Sequence, residues 1–351
     1  MTDKNSKRLD FARQQAAMTE GWYENTKRLH GDVEAYIATR HVAYLERWKE
    51  AARFIPEGSE ILDIGGGNHA KTVLEFIRSR KYCYNYIDVD PNCVATSAGI
   101  AASLGMDSSR FRQGFNDDLP FSDSGLDAVF SSHCIEHSFD LLKTLSEIHR
   151  ILRETGNLLM AVPLGWETNP DHPYFFGPTE WVSLVQDAGF KIRIAQIGCE
   201  YPEAGYDYFI CGQKLSEIPR QLRINPDDYK KSNFEFLPAD AGAISYRGLI
   251  TGKAGYTICL GRDWQIDIAV PDSATEVLPV FQRHNWSGVV QGKWGSQLVT
   301  EDLYSWFPYT QPVRIKAPAT SARESIVSLI PVGKNPASSD SEGVLWGVLI
   351  R

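Results

Sequence analysis

The feature that most constrains this chain is the stretch 61–67, Ile-Leu-Asp-Ile-Gly-Gly-Gly, in which an apolar strand runs through Asp63 into three glycines. A helical pattern, roughly Lys71 to Arg80, follows. A strand that breaks into glycines before a helix lets a ligand approach the backbone, because no Cβ stands in the way. About one βα unit later a second strand, Tyr84-Asn85-Tyr86-Ile87-Asp88, ends in a carboxylate. There it can accept both hydroxyls of a ribose. The pair describes a nucleoside-binding crevice.

The glycine spacing bears on which nucleoside. A dinucleotide loop asks for Gly-x-Gly-x-x-Gly, with pyrophosphate on the helix start. Here Ala70 takes the place of the third glycine, a permitted variant, so this test alone discriminates weakly. Asp63, a carboxylate just before the loop, suits a ligand with an ammonium group better than one with a pyrophosphate. S-adenosyl-L-methionine (SAM) has such a group.

With these motifs in place the chain resembles the class I SAM-dependent methyltransferases, in particular the small-molecule group with an Asp-x-Gly-x-Gly loop. The resemblance extends through Gly114-Phe115-Asn116-Asp117-Asp118-Leu119-Pro120-Phe121 and the strand and helix start from Leu126 to His137. It continues through an amphipathic helix from Leu145 to Leu152, the turn and strand from Arg153 to Pro163, and a last helix from Thr179 to Phe190. It covers roughly residues 55–215.

Composition fits a soluble globular chain: 43% hydrophobic and 23% charged over 351 residues, a length that allows two domains. A formal net charge of −8 argues against nucleic acid as a partner, since that affinity depends on neutralising phosphates. The six cysteines are scattered, with no Cys-x-x-Cys pair and no zinc-site or disulfide-framework spacing, so no metal is expected. The first residues lack an apolar signal core, and no run of about 18 apolar residues occurs. The expectation is a reduced, cytoplasmic protein with no membrane span.

The chain divides into a helical N-terminal cap (1–55), a SAM-binding domain (56–218), a linker (219–238) and a β domain (239–351). In the cap, Tyr36, Ile37, His41, Tyr44, Leu45 and Trp48 form one stripe at helical spacing. Strands then alternate with helices, which implies an α/β, Rossmann-like, mostly parallel sheet covered on both faces. Past residue 215, short runs rich in Ile, Val, Thr, Tyr and Trp alternate with turn residues, the pattern of an antiparallel sandwich or jelly roll. No family resemblance covers this half.

The resemblance implies site residues. Gly65, Gly66 and Gly67 let the methionine part of SAM lie against the backbone, Asp63 reaches its amino group directly or through water, and Asp88, with Val89 beside it, binds the ribose. Asp90 competes with Asp88 for that role but lies two residues past the family position. Where the family often has an acid for adenine, this chain has Phe115. It either walls the base, with Asn116 supplying hydrogen bonds, or is core. Ser132 and His133 follow the fourth strand and face the methyl group.

If the acceptor is a hydroxyl, a neutral imidazole can take its proton, and His133 is the first candidate base. Glu136 and His137 belong to a triplet that recurs at this helix start and can be purely structural. His172, with Asp171 and Tyr174 in the loop after the fifth strand, forms a second candidate cluster. Its bland alternative is a proline-stiffened loop whose aromatics pack on the sheet. In the family the N-terminal helical segment lies over the pocket, which makes Trp22, Tyr23, Tyr36, Arg40 and His41 candidate lid residues. Tyr23, Arg40, His41, Asp171 and Tyr174 form the expected substrate set.

The C-terminal half carries five of the nine tryptophans (264, 286, 294, 306, 346). Flat aromatic faces hold sugar rings in many binding modules, whereas the alternative is that these rings fill the core or a homo-oligomer interface. Trp264 and Trp346 sit in apolar strand contexts that read as core. Trp286, Trp294 and Trp306 sit among Gly, Ser and Asn and read as exposed.

The expectation is a SAM-dependent methyltransferase acting on a small molecule or a glycan, with oxygen as the acceptor atom. Methylation at nitrogen or carbon, or a non-catalytic SAM- or carbohydrate-binding protein, are the alternatives.

Overall fold

In a computed structural model, residues 6, 8, 10, 11, 13–15, 17, 33–67, 69–167, 172–201, 205–218, 223–253, 255–319 and 325–351 are described, the side chains of 33–40, 199–201, 205 and 206 excepted. The chain forms two compact units, Met1–Pro163 with Pro178–Asn225, and Leu164–Gly177 with Pro226–Arg351. Among the described residues no helix is long and apolar enough to cross a membrane.

The first unit is built on strands β1 (Glu60–Ile64), β2 (Cys83–Asp88), β3 (Phe111–Gln113), β4 (Leu126–Ser132), β5 (Leu152–Pro163), β6 (Phe190–Tyr201) and β7 (Gly205–Lys214). Their order in the sheet is β3-β2-β1-β4-β5-β7-β6. β1 to β5 pair in parallel, and β7 runs antiparallel to both β5 and β6. From β1 the order proceeds one way to β2 and the other way to β4, so the crevice that such sheets use for ligands opens at the carboxyl ends of β1 and β4. The near-continuous burial of β1 and β4 follows from cover on both faces.

The helices are α1 (Val33–Ala51), α2 (Lys71–Ser79), α3 (Pro91–Ser103), α4 (Leu141–Ile151) and α5 (Pro178–Asp187). Each of α2, α4 and α5 buries an apolar stripe, such as Val73, Leu74 and Ile77 of α2. Their starts are written in sequence: Asp90 accepts from the Asn92 amide ahead of Pro91, and Asp140 accepts from that of Lys143. In α1 the expected stripe docks through Trp48, which is fully buried 4.1 Å from the Phe130 ring, with Tyr44 and Leu45 against the same core. The side chains of Tyr36 and Ile37 lie outside the described residues.

The second unit is all-β and antiparallel, as its sequence texture implies. Its strands are β8 (Glu235–Pro238), β9 (Ile244–Lys253), β10 (Tyr256–Ala269), β11 (Glu276–Arg283), β12 (Gly288–Trp294), β13 (Gln297–Asp302), β14 (Tyr309–Pro312), β15 (Ile315–Lys316), β16 (Ile326–Lys334) and β17 (Gly343–Ile350). They join in one ten-stranded sheet. The long β10 gives it two layers: Thr257 to Cys259 pair with β17, while Ile266 to Ala269 pair with β16, with an irregularity between Leu260 and Gln265. Across the layers Gly292 of β12 meets β15, where a Cβ would lie 2.5 Å from Ile315 Cδ1.

Trp264, Ile266, Phe281, Trp294, Leu329 and Leu345 fill the space between the layers. Trp294, expected at the surface, is 1% exposed, because alternation along β12 turns it inward. The stretch Leu164–Gly177 belongs to this unit: Trp166 donates its amide to the Thr310 carbonyl, Phe175 donates to that of Tyr229, and both rings pack on Leu278, Val280 and Leu349.

Candidate active site

Asp63 sits at the end of β1, fully buried. Its Oδ2 accepts from Tyr44 Oη at 2.8 Å and Tyr84 Oη at 2.7 Å and lies 3.1 Å from His69 Nε2. Burial and the Asp63 charge push both phenols well above their ordinary pKa, so they stay protonated donors. His69 is held from behind, with Nδ1 3.0 Å from Ser97 Oγ. The other carboxylate oxygen, Oδ1, is buried without a partner among the described residues. A buried anion with one oxygen saturated and the other open favours a cationic hydrogen-bond donor.

The loop after Asp63 needs its glycines for different reasons. Gly65 (φ +67°) and Gly67 (φ +62°) are left-handed, which glycine alone adopts without cost. A Cβ on Gly65 would clash with Cys134 Sγ, and one on Gly66 would lie 2.6 Å from Tyr44 Oη. At Gly67 a Cβ would meet nothing within 4 Å, so the backbone there borders open space.

Asp88 ends β2 and turns back onto this loop. Its Oδ2 accepts from the Gly67 amide (3.1 Å) and Tyr86 Oη (2.8 Å), and Oδ1 accepts from the Asp90 amide (2.9 Å). Burial raises its pKa against the pull of these bonds. A carboxylate has about four acceptor positions, so three donors leave one open. Asp90 is occupied with capping α3. Val89 lies beside them, its carbonyl accepting from Gln113.

Phe115 is half-buried, with the Arg8 guanidinium 5.5 Å from its centroid while Arg8 pairs with Asp117 and Asp118. Asn116 donates to Ser138 Oγ (2.9 Å) and accepts from Thr144 Oγ1 (3.2 Å), so its amide holds the start of α4.

At the end of β4, Ser131 Oγ donates to the Ile64 carbonyl across the crevice, and buried Ser132 Oγ has no partner among the described residues. His133 comes next at φ +51°, a conformation unusual for a residue with a Cβ and costing about 1–3 kcal/mol. Its amide is fixed to the Ala161 carbonyl. Nε2 lies 3.4 Å from Asp207 Oδ2, and Nδ1 lies 3.6 Å from Glu136 Oε1.

Asp207, on β7, is fully buried and paired with Arg47 of α1. Glu136 is 2% exposed, with no hydrogen bond to either carboxylate oxygen among the described residues. Burial first, then the Asp207 charge, pushes its pKa up to about 8. Cys134 is also raised, chiefly by burial, and is no thiolate nucleophile.

His41 is half-buried on α1. His172 pairs with Glu167, and Tyr174 stacks on Phe176 at 5.1 Å, all within the second unit. Trp22, Tyr23 and Asp171, and the side chain of Arg40, lie outside the described residues. Sequence reading does not assign Tyr84, Tyr86, His69, Arg47 or Asp207 to the site. One signal for Asp207 exists, an acid within the apolar strand Tyr206-Asp207-Tyr208-Phe209-Ile210, since a buried charge needs a partner.

A parallel sheet with a reversal at β1/β4, a glycine loop on one strand end and a carboxylate on the next defines a Rossmann-like nucleoside-binding unit. Residues 36–194 match a family model described as a methyltransferase domain. This part of the chain is similar to methyltransferase domains, whose cofactor is SAM.

Curated relatives include an uncharacterized methyltransferase, YcgJ, of Bacillus subtilis, 30% identical over 101 residues, covering 29% of this chain and 39% of that protein. Ajmaline N-methyltransferase of Rauvolfia serpentina is 31% identical over 111 residues, covering 31% and 38%. The chain thus spans less than two thirds of these relatives' length. Among solved structures, a SAM-dependent methyltransferase from Aquifex aeolicus is 20% identical, with a TM-score of 0.41 over 48% of this chain and 90% of that one. The Bacillus subtilis YcgJ structure is 16% identical, with a TM-score of 0.42 over 50% and 100%.

The residues present fit SAM in two respects: the open Oδ1 of Asp63 for the ammonium, and backbone bordering open space at Gly67.

Proposed function

We propose that this protein transfers the methyl group of SAM to an oxygen of a small hydroxyl-bearing acceptor, sugars and glycans included, with His133 as general base. The observation that carries the reading is His133 itself, held in a left-handed conformation at the end of β4 between Asp207 and Glu136. When bound, SAM supplies an electrophilic methyl carbon on a sulfonium that leaves as a neutral thioether.

The protein's part is alignment and proton removal. Asp63 and the glycine loop hold the methionine end, and Asp88 the ribose. Asp207, fixed by Arg47, keeps the His133 proton on Nε2 and leaves Nδ1 as the basic atom. The acceptor's hydroxyl proton goes to Nδ1 as its oxygen bonds to carbon. Glu136, neutral near pH 7 because its pKa is about 8, adds no second negative charge beside the imidazole.

Transfer from radiolabelled SAM to a panel of sugars and phenols tests this. His133→Asn should lower the rate by about 10²- to 10⁴-fold while SAM still binds. An unchanged rate would remove the base. A nitrogen acceptor is the second reading, favoured by the N-methyltransferase among the relatives, and it predicts a rate on amines indifferent to His133.

A further inference from the structure

We infer that the second unit carries a binding site for a neutral saccharide, formed by Trp286 and Trp306 at one end of its sheet. This site is independent of the methyl-transfer reading. Trp286 is 44% and Trp306 68% exposed, and they are the exposed large hydrophobic residues of the three loops that meet here, 284–287, 303–308 and 335–342. The loops are knitted by backbone bonds: Ser305 donates to the His284 carbonyl, Ser339 to that of Asn285, Glu342 to that of Trp286, and Leu303 to that of Gly288. Ser338 Oγ adds a bond to the Ser287 carbonyl at 2.8 Å.

Both indoles therefore project from fixed backbone. Trp286 is tied at its amide by His284 Nδ1 and at its carbonyl by Glu342, and Trp306 stands between buried Ser305 and Phe307, its ring 4.9 Å from that of Phe307. Large apolar faces that cannot collapse onto the protein are preorganised for a ligand.

A second observation lies behind the Trp286 ring. His284 is 3% exposed, with its ring centroid 4.6 Å from that of Trp286. Because Nδ1 accepts the Trp286 amide, the proton of the neutral ring sits on Nε2, and this donor is buried with no partner among the described residues. Burial alone holds the imidazole uncharged. A buried, unpartnered neutral donor under an aromatic face calls for an oxygen acceptor such as a hydroxyl.

The rim decides the ligand's charge. Glu301, Asp302, Asp340 and Glu342 lie on or beside these loops, and the two cations next to them are engaged, Arg283 with Glu301 and the Asp302 carbonyl and Lys334 with the carbonyls of Ser338 and Ser339. Phosphorylated or acidic sugars would be disfavoured by the four acids, whereas carboxylates and the exposed amide of Asn285 suit the hydroxyls of a neutral pyranose whose C–H face rests on indole.

The full chain is printed against an array of neutral oligosaccharides, and the best binder is titrated calorimetrically into wild type, Trp286→Ala and Trp306→Ala. Circular dichroism confirms that both exposed-site variants fold. A saccharide that binds wild type and is weakened about tenfold or more by each substitution is the expected result. Absence of binding across the array, or binding indifferent to both substitutions, overturns the inference. Loss of self-association in the variants without any saccharide binding also overturns it, in favour of a protein interface.

Discussion

Glu136→Gln should make the protein more stable in alkali while leaving it unchanged in acid. Glu136 is a carboxyl with its ordinary pKa of 4.5 when unfolded and about 8 when folded. Below the lower value both states carry the proton and nothing is lost. As pH rises towards the upper value the unfolded chain releases the proton and the folded chain does not, so stability falls across that window. At about 1.4 kcal/mol per pH unit the loss approaches roughly 4 kcal/mol near pH 8. The amide has the shape of the acid and cannot ionise, so the variant escapes that loss.

Chemical unfolding of wild type and variant, followed by far-ultraviolet circular dichroism from about pH 5 to 8, reads the difference. The two should coincide at the acid end and diverge by a few kcal/mol at the alkaline end, with the variant above. Parallel profiles would refute the burial argument, since they would mean that Glu136 is ionised in the folded protein or reaches water.

Other substitutions read the rest of the site. Arg47→Met leaves Asp207 buried without its partner and should cost about 3–5 kcal/mol, while Arg47→Met with Asp207→Leu should recover much of it in the same unfolding assay. Tyr44→Phe removes one of the donors to Asp63 and should cost about 1–3 kcal/mol, most of it recovered when Asp63 is also replaced by Asn. Gly65→Ala combines a left-handed φ with a clash against Cys134 Sγ, so thermal unfolding should occur several degrees lower and SAM affinity should fall at least tenfold by calorimetry.

The elements were legible where a local pattern specifies them. The run from Ile61 to Gly67, the acid ending Tyr84 to Asp88, and the Asp-Pro start of α3 are each written in consecutive residues. The antiparallel second unit announced itself through short β-branched and aromatic runs. What could not be read is set by partners far apart in sequence. Asp63 and Asp88 were assignable as carboxylates facing a ligand, but not as carboxylates already holding Tyr44, Tyr84 and Tyr86, because those bonds depend on how β2 and α1 meet β1.

The Arg47–Asp207 pair joins residues 160 positions apart and leaves no periodic trace. Trp294 read as exposed from its Gly and Ser neighbours, whereas its position in β12 turned it into the core. The aromatic loop after β5 could be read as stiff, but its bonds to Thr310 and Tyr229 within the second unit depend on pairings no local pattern encodes.

The most direct test of the central claim is calorimetric titration of SAM and of S-adenosylhomocysteine into the full chain and its Asp88→Ala variant. The account predicts that both ligands bind the wild type and that the variant binds neither measurably. Failure of the wild type to bind either ligand, or equal binding by the variant, would contradict it.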